Sequence, residues 1–405
     1  MASPVPFCRL LSPILIATVL SRALDTLLSS SPPIEFIERS AHLEEFCRAL
    51  EQAPWIGLDT EFMRERTYYP EFCLLQVSMD DRIACIDPLA LPTLDPLKSV
   101  LNDHRVLKIL HSGRQDLELF HLLWGLLPVN VFDTQIAAAL AGGPEQIGYG
   151  RLVECLFEVK LAKEQTRTDW SHRPLSPAQL RYAADDVAFL GAAHQHLRHS
   201  LTEMGRIEWL IEDSSALLEP SLYHNKPELA WRKIAGIQHL PPQSFHLVQK
   251  LAAWREAKSQ QLNLPRGWIF KDDVLFHLAT QNHGEAVLPR IRGIDQLSHQ
   301  HCVDEVRELL KDLPTSSQRS VKVLTRPKQL ESESKTLLKK LAGIVQAKAS
   351  ELDITPSALA SRRDLEMVLE NPAESRVLNG WRSIVIGEEI LELLPTASIS
   401  RDNAL

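Results

Sequence analysis

Asp59 and Glu61 stand one residue apart directly after the apolar run Trp55-Ile56-Gly57-Leu58. In a strand, residues i and i+2 project from the same face, so this segment sets two carboxylates side by side at the end of a buried strand. Such a pair repels itself, and burying it unpaired costs on the order of several kcal/mol, whereas a divalent cation turns the repulsion into a binding site. Taken alone, the three residues more often describe an exposed strand end with two solvated acids.

Two later segments bear on that choice. Val106-Leu107-Lys108-Ile109-Leu110 reads as a short buried strand, and Ser112-Gly113 turns the chain into an amphipathic helix with Asp116 in its first turns. Further on, Ser176 is an N-cap, Pro177 occupies the first helical position, and Gln179 closes a capping box. On that helix Tyr182 and Asp186 are i and i+4, stacked on one face, while Asp185 points elsewhere.

Asp59 with Glu61, then Asp116, then Tyr182 with Asp186 resemble the three motifs of the DEDD 3′-to-5′ exonucleases, in the subclass with a tyrosine four residues before the last aspartate. The stretches Leu58-Asp59-Thr60-Glu61-Phe62, Arg66-Thr67-Tyr68-Tyr69-Pro70, Phe132-Asp133-Thr134-Gln135 and Arg167-Thr168-Asp169-Trp170 are similar to bacterial ribonuclease D. The resemblance covers roughly residues 34 to 395, with five motifs in order.

The resemblance implies an α/β ribonuclease-H-like exonuclease domain that binds two divalent cations, Mg²⁺ or Mn²⁺. It makes Asp59, Glu61, Asp116 and Asp186 metal ligands and Tyr182 the holder of the attacking water. Four acids suit this chemistry because phosphodiester hydrolysis needs an ionised nucleophile and a stabilised leaving oxygen, both of which paired cations supply. No His/Cys cluster accompanies the acids, which argues against Zn²⁺.

Substrate contacts are expected from Arg64, Arg66 and Tyr68, a basic and aromatic cluster after Glu61, and from Arg167 and Trp170, which form a similar cluster with Arg173. Gln76, alternating out of an apolar strand, and His111, at the end of the strand before Asp116, are further candidates. For each of these, a packing role or a surface ion pair is the competing reading.

Beyond Ser200 the pattern is helical. Leu247-Val248-Gln249-Lys250-Leu251-Ala252 through Leu262 aligns without gaps on Leu337-Leu338-Lys339-Lys340-Leu341-Ala342 through Leu352, with seven of sixteen positions identical. The repeats are similar to paired HRDC domains, small helical bundles associated with nucleic-acid binding. The expected architecture is therefore a 3′-5′ exonuclease domain over 34–205, a first HRDC domain over 222–311, a polar linker over 312–334, and a second HRDC-like domain over 335–396. The second repeat is expected to act through its linker by adding binding surface.

Residues 1–33 stand apart as an N-terminal extension, whose apolar stretch is shorter than the roughly 20 residues a membrane span requires. No stable membrane association is expected. Six cysteines without C-x-x-C spacing favour reduced thiols and a cytoplasmic location. The formal charge of −8 gives no general basic footprint, although residues 221–311 hold twelve Lys/Arg against nine Asp/Glu.

The function expected from the resemblance is a metal-dependent 3′-to-5′ exoribonuclease. It would act as a monomer, trimming the 3′ ends of tRNA precursors and other RNA with free 3′ ends and releasing 5′-mononucleotides. The alternatives are a DNA 3′-to-5′ exonuclease of the same superfamily, since the acids attack either phosphodiester, or a non-catalytic RNA-binding scaffold. The presence of all four acids and Tyr182 argues against the scaffold.

Overall fold

A computed structural model of the chain describes residues 33–80, 82–162, 168–280, 289–311 and 332–394. The expected N-terminal extension and nearly all of the expected linker fall outside these residues, as does Arg167. Two compact units emerge: Met1–Phe62 with Phe72–Pro220 and Ser332–Leu405, and Met63–Glu71 with residues 221–331.

The first unit is built on a six-stranded mixed sheet. Its strands are β1 (Ile34–Ile37), β2 (Trp55–Met63), β3 (Glu71–Met79), β4 (Arg82–Ile86), β5 (Leu107–Leu110) and β6 (Val131–Asp133), in the spatial order β1-β4-β3-β2-β5-β6. β2, β5 and β6 run parallel, with Trp55 opposite Leu107 and Ile109 opposite Phe132, whereas β3 and β4 are antiparallel, with Gln76 opposite Cys85. The central β3 is buried from Cys73 to Met79, which is why its sequence is nearly continuously apolar.

Among the described residues up to 220, eight α-helices accompany the sheet: α1 (Ser40–Leu50), α2 (Leu97–Leu101), α3 (Arg114–Trp124), α4 (Thr134–Leu140), α5 (Tyr149–Phe157), α6 (Pro177–Ala188), α7 (Leu190–Glu203) and α8 (Ile207–Ala216). α6 begins with the capping box that its sequence implies: Gln179 N–H donates to Ser176 Oγ at 3.2 Å, and Ser176 N–H donates to Gln179 Oε1 at 2.9 Å. At its other end, Ser78 Oγ of β3 donates to the Val187 carbonyl at 2.9 Å and ties helix to sheet. Gly57 makes this close approach possible, because a Cβ there would lie 2.4 Å from Ser78 Oγ and 3.1 Å from the Leu190 side chain. α8 packs on α4 and β6 and so belongs to the same compact unit as the sheet.

The C-terminal helices belong to this same unit. They are α13 (Ser332–Glu351), α14 (Pro356–Leu359), α15 (Arg362–Glu370), α16 (Gly380–Arg382) and α17 (Glu388–Leu393); α9 to α12 lie in the second unit. The expectation of a module held only by its linker is corrected by its packing on α8. The Trp209 and Trp381 rings stack with centroids 4.2 Å apart and planes nearly parallel, and the Trp381 backbone N–H donates to Glu212 Oε2 at 2.9 Å. Arg382, 2% exposed, forms two hydrogen bonds to the Asp213 carboxylate at 2.6 and 2.8 Å and donates also to the Ala358 and Leu359 carbonyls. Gly380 adopts φ +59°, and a Cβ there would strike the Glu212 carboxylate, so only glycine serves at this junction.

The second unit is all helical: α9 (Pro242–Leu262), α10 (Arg266–Ile269), α11 (Asp272–Thr280) and α12 (Gln296–Lys311) enclose a core that includes Trp231, Phe245, Leu251, Phe270, Leu275 and Val306. The connection between β2 and β3 belongs to it. Asn263, the left-handed cap of α9, accepts from the Tyr68 and Tyr69 N–H groups at 3.1 and 3.0 Å, and the Tyr68 hydroxyl donates to Glu256, which also pairs with Arg266. Of the described cysteines, Cys47, Cys73, Cys85 and Cys302 are buried thiols outside any disulfide, while Cys155 is disulfide-bonded, against the expectation of uniformly reduced thiols.

The Arg382–Asp213 pair generates a stability prediction. Removing the buried guanidinium leaves a carboxylate without its partner, so Arg382→Met should lower unfolding free energy by about 3 to 5 kcal/mol. Urea titration followed by tryptophan fluorescence measures it, and a loss within about 0.5 kcal/mol, as at an uninvolved surface site, would show that the pair does not hold the C-terminal helices in place.

Candidate active site

β2 aims Asp59 and Glu61 from one face, and α6 brings Asp186 to them from above the sheet. One carboxylate oxygen from each of the three lies within 4.8 Å of the others, a spacing at which one cation can bridge them. The Tyr182 hydroxyl, one turn earlier on α6, donates to the Asp186 carboxylate, so the i and i+4 pair read from the sequence meets at the acids.

Asp116 enters differently. It lies in the first turn of α3, 6% exposed, where its Oδ1 accepts the Thr60 hydroxyl, and it is outside the three-acid cluster itself. Its charge nevertheless acts on both Asp59 and Glu61. Thr60, between the two strand acids, thus ties the third motif to the first, a role that its alternation to the opposite face of β2 makes available.

These carboxylates resist ionisation. Burial, reinforced by Asp186 and Asp116, pushes Glu61 up to about 8. Asp186 is pushed up to about 7, chiefly by burial, with the Tyr182 hydrogen bond opposing the rise. Asp116 rises to about 6 from burial, moderated by Thr60, and Asp59 rises well above the carboxylate range from burial and from Asp116, Asp186 and Glu61. A group of acids that cannot all ionise in each other's company is a donor set fitted to a hard divalent cation.

Two supporting residues stand outside the expected site. Asp133 accepts from Gln135 and Ile136 N–H, capping α4, and also from Ser112 and Gly113 N–H at 3.2 and 2.8 Å, fixing the turn that starts α3. Its signal was the N-cap pattern Asp-Thr-Gln. The Tyr149 hydroxyl accepts Phe189 N–H at 3.0 Å at the break between α6 and α7, a contact with no local sequence mark.

The expected substrate residues divide sharply. Gln76 is fully buried, with neither amide atom hydrogen-bonded. Gln76 therefore sits inside β3, the neighbour of β2 in the sheet, and not against solvent. Tyr68 and Trp170, 5% and 2% exposed, likewise offer no surface to a base. His111 directs Nδ1 to the Thr134 hydroxyl and Nε2 to the Ile147 carbonyl, both at 2.9 Å, and burial holds its pKa below the ordinary value. Arg64 and Arg66 are exposed and remain accessible to phosphate.

Residues 34–202 match the 3′-5′ exonuclease family, and residues 244–310 match the HRDC domain. The chain is 36% identical to ribonuclease D of Granulibacter bethesdensis over 378 residues, covering 90% of this chain and 93% of that protein. It is 35% identical to ribonuclease D of Pseudomonas paraeruginosa, covering 91% and 99%. The crystal structure of Escherichia coli RNase D, an exoribonuclease involved in structured RNA processing, superposes with a TM-score of 0.79 at 28% identity, covering 89% of this chain and 98% of that one. With a ribonuclease-H-like exonuclease domain, an HRDC domain and relatives matched over nearly their whole length, the chain belongs to the ribonuclease D family of 3′-to-5′ exoribonucleases.

Proposed function

We propose that this enzyme trims the 3′ ends of tRNA precursors and other structured RNAs, releasing 5′-mononucleotides, as a cytoplasmic monomer of the tyrosine subclass. The observation that carries the reading is the convergence of Asp59, Glu61 and Asp186 within 4.8 Å, with the Tyr182 hydroxyl on Asp186. The E. coli enzyme's part in structured RNA processing supports the substrate class.

Asp59, Glu61, Asp186 and Asp116 would hold two Mg²⁺ or Mn²⁺ ions, the all-oxygen donor set favouring these over Zn²⁺. Bound there, the ions supply charge stabilisation at the scissile phosphate and ease ionisation of the attacking water. Tyr182 orients that water through its hydroxyl, and its hydrogen bond to Asp186 keeps the ring directed at the acids. Asp59 and Glu61, fixed by the rigid strand, set where the phosphate must sit. Arg64 and Arg66 would contact the RNA backbone, and residues 335–396, aligned on the first HRDC domain, would form a second HRDC-like domain. The described residues contain no helix long and apolar enough to cross a membrane.

The deciding experiment is hydrolysis of a 5′-labelled tRNA precursor with a 3′ extension beside a matched single-stranded DNA, with Mg²⁺, with Mn²⁺ and with EDTA. Metal-dependent shortening of the RNA from its 3′ end is expected, with mononucleotide products. Preference for the DNA would transfer the reading to a deoxyribonuclease.

Asp59→Ala, Glu61→Ala, Asp116→Ala and Asp186→Ala should each nearly abolish turnover while circular dichroism remains that of the native protein. Tyr182→Phe should lower kcat about 10²- to 10⁴-fold with little change in KM. Near-normal turnover in any variant would remove that residue from the proposed machinery.

The raised carboxylates also predict a pH effect. The unfolded chain loses these protons at ordinary carboxylate values, whereas the metal-free folded protein retains them until about 6 for Asp116, about 7 for Asp186 and about 8 for Glu61. Their contribution to stability therefore falls as pH rises from the ordinary carboxylate range to about 8 and levels off above. In EDTA, Tm should decline over that window, Glu61→Gln should make the decline shallower, and the Tm increment given by Mn²⁺ should grow with pH. Calorimetry at pH 5, 6, 7 and 8 checks all three, and an Mn²⁺ increment independent of pH would contradict binding at these acids.

A further inference from the structure

The segment leading into α6 is fastened at both ends. At the helix, Gln179 Nε2 donates to Thr168 Oγ1 at 3.2 Å and to the Asp169 carbonyl at 3.4 Å, in addition to closing the capping box. At the sheet, the Arg173 guanidinium grips Asp87, just beyond β4, with Nε to Oδ2 at 2.6 Å and Nη2 to Oδ1 at 2.8 Å. Nη2 also donates to the Cys73 carbonyl of β3 at 2.6 Å, and Nη1 donates to the Trp170 and His172 carbonyls at 2.7 and 2.9 Å.

A guanidinium carries five N–H bonds, and these five contacts use all of them inside the protein. Arg173 therefore has no donor left for a phosphate, which removes it from the RNA-binding cluster in which its sequence neighbourhood sets it. Its anchor is firm: the Asp87 side chain is 3% exposed, and the Asp87 backbone N–H donates to the Ile37 carbonyl of β1 at 2.9 Å. What the guanidinium holds is the backbone at Trp170, whose ring is buried and lies 6.1 Å from the Tyr182 ring, centroid to centroid, at a tilt of 39°. Tyr182 is thus bounded by Trp170 at its ring and by Asp186 at its hydroxyl.

We propose that Arg173 and Trp170 are positioning residues for Tyr182: the Asp87–Arg173 pair fixes Trp170, and the Trp170 ring restricts the tyrosine to the orientation in which its hydroxyl reaches the attacking water. The proposal rests on the reading of Tyr182 as the group that orients this water. Displacement of a catalytic group by about 1 Å costs on the order of 10²-fold in rate, so a change at Arg173 reaches the chemistry without touching RNA.

The test is a double-mutant cycle on a short single-stranded RNA with Mn²⁺, comparing Arg173→Met and Trp170→Leu alone and combined with Tyr182→Phe. Each single variant is expected to lower kcat by about 10- to 100-fold, with KM within about threefold of the parent. In the Tyr182→Phe background the same changes should cost less than about threefold, because the hydroxyl they position is already gone. Trp170→Phe, which retains an aromatic ring, should recover most of the kcat lost in Trp170→Leu.

Equal losses in both backgrounds would overturn the proposal in favour of general destabilisation, and a raised KM with unchanged kcat would overturn it in favour of an RNA contact. Should Arg173→Met fail to fold, as judged by its melting curve, Asp87→Asn is the second variant, since it keeps the shape and one acceptor of the anchor; it must show the same dependence on the Tyr182 hydroxyl. An unaltered kcat in Tyr182→Phe itself would remove the reading of the tyrosine and, with it, the object of the brace. A lowered kcat in Tyr182→Phe with additive losses at Arg173 would leave the tyrosine reading intact and refute the brace alone.

Discussion

Mutual repulsion among crowded, half-buried carboxylates is the constraint around which the exonuclease unit is organised. Asp59, Glu61 and Asp186 converge within 4.8 Å in a setting where burial and each other's charge oppose ionisation. No fold gains stability from such a cluster by itself. The surrounding elements must hold the acids together against their repulsion.

The holding is done by rigid secondary structure fastened at its ends. β2 fixes the separation of Asp59 and Glu61 by the period of a strand, and α6 is fixed by its capping box at one end and by Ser78 and Tyr149 around the other. Asp133 performs a similar service for α3 by accepting from the turn that precedes Asp116, and Thr60 then links Asp116 to the strand acids. Charged ligands set on capped helices and a central strand keep their geometry better than ligands on loops, because fewer backbone torsions are free to relax.

The helical regions divide between the two units in a manner that chain order conceals. Residues 332–394 join the exonuclease unit through stacked tryptophans and a buried Arg382–Asp213 pair, whereas the connection that follows Glu61 belongs to the unit of the HRDC domain. Tyr68, on that connection, gives its hydroxyl to Glu256 and its backbone to Asn263. The C-terminal helical region of this protein is therefore more than an appended binding surface: it braces α8 directly.

The order and spacing of Asp59, Glu61, Asp116, Tyr182 and Asp186, the capping box at Ser176, and the helical repeat were all legible in the sequence, because strand period, helix period and end caps are local properties. The exposure of polar side chains was not. Gln76, Tyr68 and Trp170 carry the chemistry of RNA contacts, yet their burial depends on what packs over them from far along the chain. Arg173 is the clearest case: a loop arginine reads as a phosphate ligand until Asp87 and Cys73, some hundred residues earlier, account for its donors. Sequence determined which groups this protein has for its chemistry; tertiary structure decided which of them face the substrate and which hold the others in place, since hydrogen-bond partners distant in sequence are chosen only by packing.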